Sequence, residues 1–416
     1  MGLVVYFFTN ASWPSQHPAI YIWSWSRLVF LVALLLTSAY FLFSLFRPRL
    51  QKLNNDVCCL ALTVGLGVET FLRLMPEAIP AGLLSYFPQQ VAEKKAQARG
   101  HIMTGEGMIY HYAPENRELK NWPSLHLDEC GYRNPSQKSE HFDVVLLGDS
   151  IVFALAAEKD LGQLFREAGS SCLNLAMGGY APQHYRDAYQ RYVIEKNIRH
   201  DVVLTFLFIG NDFSDAMRYE KVRRHHGDYR DYIYDSANYM ACLPWVINMA
   251  RALPPHINSL MGGGLNGGVV ATGRSLRLPY KTIEVGEFLW WPPELHENSA
   301  EWECVRAALG GIIALAKTAG AHPVFFLVPS PATIYSQFEP DFRVYDQRHA
   351  VTAALLEGYC ASKKSRFVDL NEPLRLEISK NFIFLRDGDC HYNAAGMAKV
   401  FEIAARQAIE SARGSL

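Results

Sequence analysis

Ser150 ends a short apolar run, Asp143-Val-Val-Leu-Leu-Gly148-Asp149-Ser150, and Asp389-Cys390-His391 lies near the far end of the chain. A serine hydroxyl is a poor nucleophile until a base takes its proton. Two further segments have the same layout of apolar run followed by polar turn: Asn174-Leu-Ala-Met-Gly178-Gly179-Tyr180 and Phe208-Ile209-Gly210-Asn211-Asp212. Taken in order, the four segments supply the parts of an acyl-transfer site. Such a site needs one activated hydroxyl, a base and fixed donors for a developing negative charge.

These segments act together only if a scaffold brings them to one edge. Residues 144–147, 172–175, 202–209, 323–328 and 367–370 read as buried strands, each a short, nearly continuous apolar run. Between them, 161–168, 184–196, 301–318 and 345–362 read as helices, and a last helix covers 393–409. Strictly alternating strands and helices predict a five-stranded parallel sheet in a three-layer α/β/α sandwich. Open sheets of this kind bind ligands at the carboxyl ends of their strands, where Ser150 and the polar turns fall. Residues 214–299 break the alternation and read as an insertion beside that edge.

The four blocks resemble those of the SGNH, or GDSL-type, hydrolase superfamily over roughly residues 142–412. The resemblance implies a flavodoxin-like sheet and a set of roles. Ser150 is the nucleophile. Its N–H, the N–H of Gly179 (rather than Gly178) and the side-chain amide of Asn211 are the oxyanion donors. Asp149 and Asp212 hold their loops. His391 is the base, in a loop before a helix that begins Asn393-Ala-Ala-Gly396. Many members carry the orienting acid three residues before this histidine, where this chain has Gly388. The resemblance therefore implies Asp389, two residues before it, with Asp387 as the alternative. The Gly-x-Ser-x-Gly elbow of α/β-hydrolases is absent at Ser150.

Composition narrows the setting. With 40 Lys+Arg against 41 Asp+Glu, no global field points to nucleic acid. Residues 28–46 carry no charge and are long enough to span a bilayer. Residues 57–75 form a second candidate span, with Glu69 and Arg73 four apart near its end. Trp23 and Trp25 precede the first span as interfacial anchors, and Arg47, Arg49 and Lys52 lie in the link. By the positive-inside rule that link is cytoplasmic, which puts everything after residue 76 outside the cell membrane, in the periplasm or extracellular space. The expected organisation is a membrane anchor (1–79), a neck (80–141) and the hydrolase domain. Of eight cysteines, Cys58 and Cys59 fall in the second span. Cys130, Cys172, Cys242, Cys304, Cys360 and Cys390 are compatible either with disulfides or with buried free thiols.

Other motifs carry less. Gly262-x-Gly264-x-x-Gly267 matches a dinucleotide pattern but follows no strand and opens no helix, so it reads as a loop. No spacing suggests zinc, and no cofactor is expected. Arg223-Arg224-His225-His226 reads as a solvated basic face. Trp290-Trp291-Pro292-Pro293 reads as a sugar platform or a packed loop, and Ser330 as a pocket residue after the fourth strand. The expected function is serine-dependent ester hydrolysis on acylated envelope or extracellular carbohydrate. O-acyl transfer to a polysaccharide, a lipid substrate and a non-catalytic scaffold in polysaccharide assembly are the alternatives. Alginate-type acetyltransferases carry Asp-x-His before the serine; here it follows, which favours the esterase.

Overall fold

A computed structural model describes residues 103–112, 126–135, 139–154, 157–233, 274–285, 291–387 and 389–413. A hairpin comes first, β1 (Met103–Glu106) and β2 (Ile109–Tyr112), turning through Gly107 at φ +63°. Strand β3 (His141–Leu147) leads directly into the single-turn helix α1 (Ser150–Phe153). After it come α2 (Leu161–Glu167), β4 (Cys172–Asn174) and α3 (Pro182–Tyr189). Helix α3 starts on a proline, whose missing N–H is harmless in a first turn, and continues into a π-helical turn, Gln190–Ile194. Strand β5 (Arg199–Phe208) then gives way to α4 (Asp212–Arg224) and α5 (Tyr229–Ile233).

A second hairpin, β6 (Arg274–Arg277) and β7 (Thr282–Val285), precedes α6 (Ala300–Thr318) and β8 (His322–Val328). The chain ends with α7 (Pro331–Tyr335), α8 (Arg343–Ser362), β9 (Arg366–Asp369), α9 (Asn371–Ile378) and α10 (Ala394–Arg413). The five expected strands are present and form one parallel sheet in the order β4-β3-β5-β8-β9. Helices α3, α4 and α6 pack on one another, as do α2 and α10, and β8 touches both α6 and α10. A sheet covered on both faces needs apolar residues on both, so Val145, Leu146, Leu147, Leu204 and Leu207 are all fully buried without alternation.

The chain runs outward from β3 to β4 and then back past β3 to β5. The direction of winding therefore reverses between β3 and β5, and a crevice opens at their carboxyl ends. Ser150 follows one of these strands and Asn211 the other. Regular structure extends into the stretch read as irregular, since α4, α5 and the β6–β7 hairpin all fall in 214–299 or start just before it.

Among the described residues, no helix is long and apolar enough to cross a membrane. The spans expected at 28–46 and 57–75 lie outside those residues, as do the glycine motif at 262–267, Trp290, Cys58, Cys59 and Cys242. Cys130, Cys172, Cys304, Cys360 and Cys390 are free thiols.

Candidate active site

Ser150 owes its position to the two residues before it. A Cβ on Gly148 would stand 2.5 Å from Val152 Cγ2, so only glycine lets the strand turn this tightly into the helix. The Asp149 side chain accepts from the Ile151 N–H at 2.9 Å and caps α1. Four residues make a weak helix, and its far end is held from elsewhere. Arg133, 2% exposed, donates to the carbonyls of Phe153 (3.2 Å), Ala154, Ala157 (3.2 Å) and Glu158 (3.3 Å). Its Nε also lies 2.8 Å from Asp160 Oδ2. Four carbonyls and one carboxylate around a single buried guanidinium make a fixed support behind the serine.

His391 reaches that serine from the loop before α10. Its Nε2 lies 3.0 Å from Ser150 Oγ and its Nδ1 lies 2.7 Å from Asp389 Oδ1. With the proton on Nδ1, the lone pair of Nε2 faces the hydroxyl. Asp389 Oδ1 also accepts from the His391 backbone N–H at 3.0 Å, while Oδ2 pairs with Arg386 Nε at 3.3 Å. Burial would raise the Asp389 carboxyl, but His391 and Arg386 outweigh it and hold it below the usual carboxylate range. Asp387, the alternative acid, pairs instead with Lys281 Nζ at 2.8 Å, on the turn of the β6–β7 hairpin.

The rest of the fourth block builds the loop. The Asn393 amide donates to the carbonyls of Phe382 (2.7 Å) and Phe384 (2.9 Å), and its oxygen accepts from the N–H groups of Ala395 and Gly396. Gly396 lets α10 approach closely, because a Cβ there would lie 2.4 Å from the Ile383 carbonyl oxygen.

On the opposite side of Ser150 sits the glycine turn after β4. A Cβ built on Gly178 would be 3.8 Å from Ser150 Cβ, and Gly179 has φ +77°, a left-handed conformation suited to glycine. The N–H groups of Ser150 and Gly179 donate no hydrogen bond among the described residues. Asn211, before α4, donates an amide hydrogen to Asp215 Oδ2 at 3.0 Å, and its side chain also hydrogen-bonds the Asp149 carboxyl beside Ser150. Asp212 accepts from Tyr185 Oη (2.8 Å) and the Phe208 N–H (2.8 Å) and so fixes the end of β5.

Three carboxyls thus lie behind the crevice, and burial dominates each. It pushes Asp149 up to about 6 and Asp215 up to about 7, and it drives Asp212 well above the carboxylate range.

Sequence reasoning missed Arg133, Asp215 and the tyrosines described below. All act across long sequence separations or through α4, whose apolar stripe is interrupted by charge. Ser330 is fully buried and accepts from the Thr333 N–H as the cap of α7, so its hydroxyl is committed to structure. Arg223 pairs with Glu220, and Arg224, His225 and His226 are exposed. Trp291 stacks on Tyr345 with centroids 5.4 Å apart, as a packed loop does. Asp389, Cys390 and His391 bring three ligand-type atoms within 4.8 Å of one another. Yet Asp389 and His391 already engage each other, and burial keeps the Cys390 thiol protonated.

No protein-family model and no curated protein matches the chain. Among solved structures it is similar to a GDSL-like lipase from Bacteroides thetaiotaomicron, at 12% identity and TM-score 0.34, covering 71% of this chain and 97% of that one. It is also similar to an extracellular lipase from Streptomyces rimosus (13%, TM-score 0.35, covering 64% and 99%). A catalytic mutant of an acetylxylan esterase from Geobacillus stearothermophilus is a further match (13%, TM-score 0.33, covering 64% and 94%). The 2-1-3-4-5 parallel sheet and the Asp389–His391–Ser150 chain of contacts at its carboxyl edge are the arrangement that the sequence's resemblance to SGNH hydrolases implies.

Proposed function

We propose that the protein is a serine-dependent ester hydrolase working through an acyl-enzyme, with acylated envelope or extracellular carbohydrate as its substrate class. The observation that carries this reading is the run of contacts from Asp389 Oδ1 to His391 Nδ1 (2.7 Å) and from His391 Nε2 to Ser150 Oγ (3.0 Å). In the reaction, Ser150 Oγ attacks the ester carbonyl carbon and passes its proton to His391 Nε2. The carbonyl oxygen becomes an oxyanion that faces the N–H groups of Ser150 and Gly179 and the side-chain amide of Asn211. Collapse breaks the ester C–O bond, and the departing alcohol takes the proton from His391. Water then repeats the sequence against the acyl-serine and releases the acid. A sugar hydroxyl in place of that water would make the reaction a transfer.

Asp389 stays ionised through the neutral range because its carboxyl is held low, so it stabilises the imidazolium formed at each proton transfer. The order of serine before Asp-x-His supports hydrolysis over transfer. The extracytoplasmic location rests on the two apolar stretches and the basic link between them.

The purified full chain is expected to hydrolyse p-nitrophenyl acetate, and Ser150→Ala is expected to abolish turnover and labelling by a fluorophosphonate. Equal turnover in the alanine variant, or none in the wild type, would sink the reading. Adding acylatable polysaccharide to the assay separates the two outcomes, since acetyl appearing on the polymer identifies transfer. A phosphatase fused after residue 80 is expected to be active outside the cytoplasm, and an inactive fusion would reverse the orientation.

A further inference from the structure

Two phenols grip the glycine turn between β4 and α3 from outside the sheet. Tyr110, on β2, donates to the Gly178 carbonyl at 3.0 Å, and Tyr232, on α5, donates to the Gly179 carbonyl at 3.1 Å. Neither residue belongs to the four blocks. Their two elements are tied together, because the Tyr229 N–H donates to the Gly107 carbonyl at 2.8 Å. The Arg218 guanidinium lies 4.7 Å from the centre of the Tyr232 ring and backs it.

A trans peptide is planar, with its C=O and N–H pointing in opposite directions. Holding the Gly178 oxygen on Tyr110 therefore sends the Gly179 N–H the other way. Gly178 itself lies beside Ser150, since a Cβ added to it would stand 3.8 Å from Ser150 Cβ. The turn is closed by the Tyr180 N–H on the Met177 carbonyl at 3.2 Å, but that bond does not by itself set the central Gly178–Gly179 peptide, since glycine populates both signs of φ at little cost.

We propose that Tyr110 and Tyr232 are positioning residues for acyl transfer: by clamping the carbonyls of Gly178 and Gly179, they keep the Gly179 N–H aimed at the developing oxyanion. This rests on the hydrolase reading of Ser150, and it makes the β1–β2 hairpin, which precedes the α/β sheet, part of the machinery. Both phenols are almost fully buried, and burial raises each well above its ordinary range, so both remain protonated donors. Any side chain at Gly179 would meet the Tyr110 hydroxyl at 3.0 Å, so turn and clamp fit each other closely.

The test uses Tyr110→Phe, Tyr232→Phe and the double variant of the full chain. Phenylalanine retains the ring that packs edge-on against Tyr180 and His184. Each single change is expected to lower kcat on p-nitrophenyl acetate about tenfold with KM within about twofold. The double variant is bounded by the roughly 10²- to 10³-fold loss of an oxyanion donor. Fluorophosphonate labelling of Ser150 should slow by the same factor, because the tetrahedral adduct places its oxygen in the same hole. A packing role alone would lower the melting temperature without this split between kcat and KM. Wild-type kcat in the double variant, or a loss confined to KM, overturns the proposal.

If the wild type has no turnover, the hydrolase reading fails, and a crystal structure of the double variant decides the clamp. A Gly178–Gly179 peptide turned over from its present orientation supports it; an unchanged peptide overturns it.

Discussion

Replacing Asp389 by asparagine should be far milder than replacing it by alanine, and the reason lies in one oxygen. Asp389 Oδ1 accepts from both the His391 backbone N–H (3.0 Å) and His391 Nδ1 (2.7 Å), while Oδ2 faces Arg386. In Asp389→Asn, turning the amide nitrogen inward would set a donor against two donors. The carbonyl therefore goes inward, the proton stays on Nδ1, and Nε2 remains free to accept. The outward NH2 faces the Arg386 side chain, which is 60% exposed and so in contact with water.

What is lost is the charge opposite the imidazolium. Charge-assisted hydrogen bonds are about twice as strong as neutral ones of about 1 kcal/mol, which puts the loss at about 1–1.5 kcal/mol, or roughly tenfold in kcat. Alanine removes the acceptor too and should cost on the order of 10⁴-fold. Asp387→Asn weakens a partly exposed pair with Lys281 and should leave kcat within about threefold. The assay is kcat on p-nitrophenyl acetate at neutral pH for the three variants. If asparagine falls as far as alanine at position 389, the shared-acceptor argument is wrong. If Asp387→Asn falls further than Asp389→Asn, the orienting acid has been misassigned.

Arg133→Met should destabilise the fold by about 3–5 kcal/mol, because it strands a buried Asp160 oxygen and the carbonyls behind α1. Adding Asp160→Asn should recover part of this in chemical denaturation; a single-variant loss below about 1 kcal/mol would contradict the buried network. Asp215→Asn tests the carboxyls behind the crevice. With a folded value near 7 against an open-chain 3.8, the wild type binds more protons folded than unfolded between those pH values, so its stability falls as pH rises through that window. The asparagine variant should escape that fall. It should gain up to a few kcal/mol over the wild type at pH 8, and the gain should vanish toward pH 4. A difference that stays constant with pH in urea titrations would refute it.

The parallel sheet was legible because β3, β5 and β8 are buried on both faces along their later residues, which are therefore apolar. The nucleophile and Asn211 were legible because each closely follows such a run, and the base because it stands beside an acid just before the last helix. Helix α4 was not, since its inward face mixes Asp212, Phe213, Ala216, Tyr219 and Val222 with no clean apolar stripe. The hairpins are four-residue strands whose partners are nearby but whose purpose is distant. The turn of β6–β7 presents Lys281 to Asp387, and β2 presents Tyr110 to Gly178. Arg133 reads locally as a charged surface residue, and only the assembled fold shows that it is buried. The roles of these residues are set by pairings across the chain, which local composition does not record.

The contact between Ser150 and His391 joins positions 241 residues apart. The cost of closing so long a loop grows only with the logarithm of its length, but such distant pairings form slowly. During synthesis the amino-terminal portion emerges first. The serine turn, the glycine turn and the Asn211 loop can therefore assemble on β3, β4, β5 and β8 while the base is still unmade. A nascent chain carries an inert hydroxyl until β9 adds to the sheet edge and α10 docks on α2. The Ser150–His391 contact is thus completed last in folding, and it is the first lost if the carboxyl-terminal helix detaches.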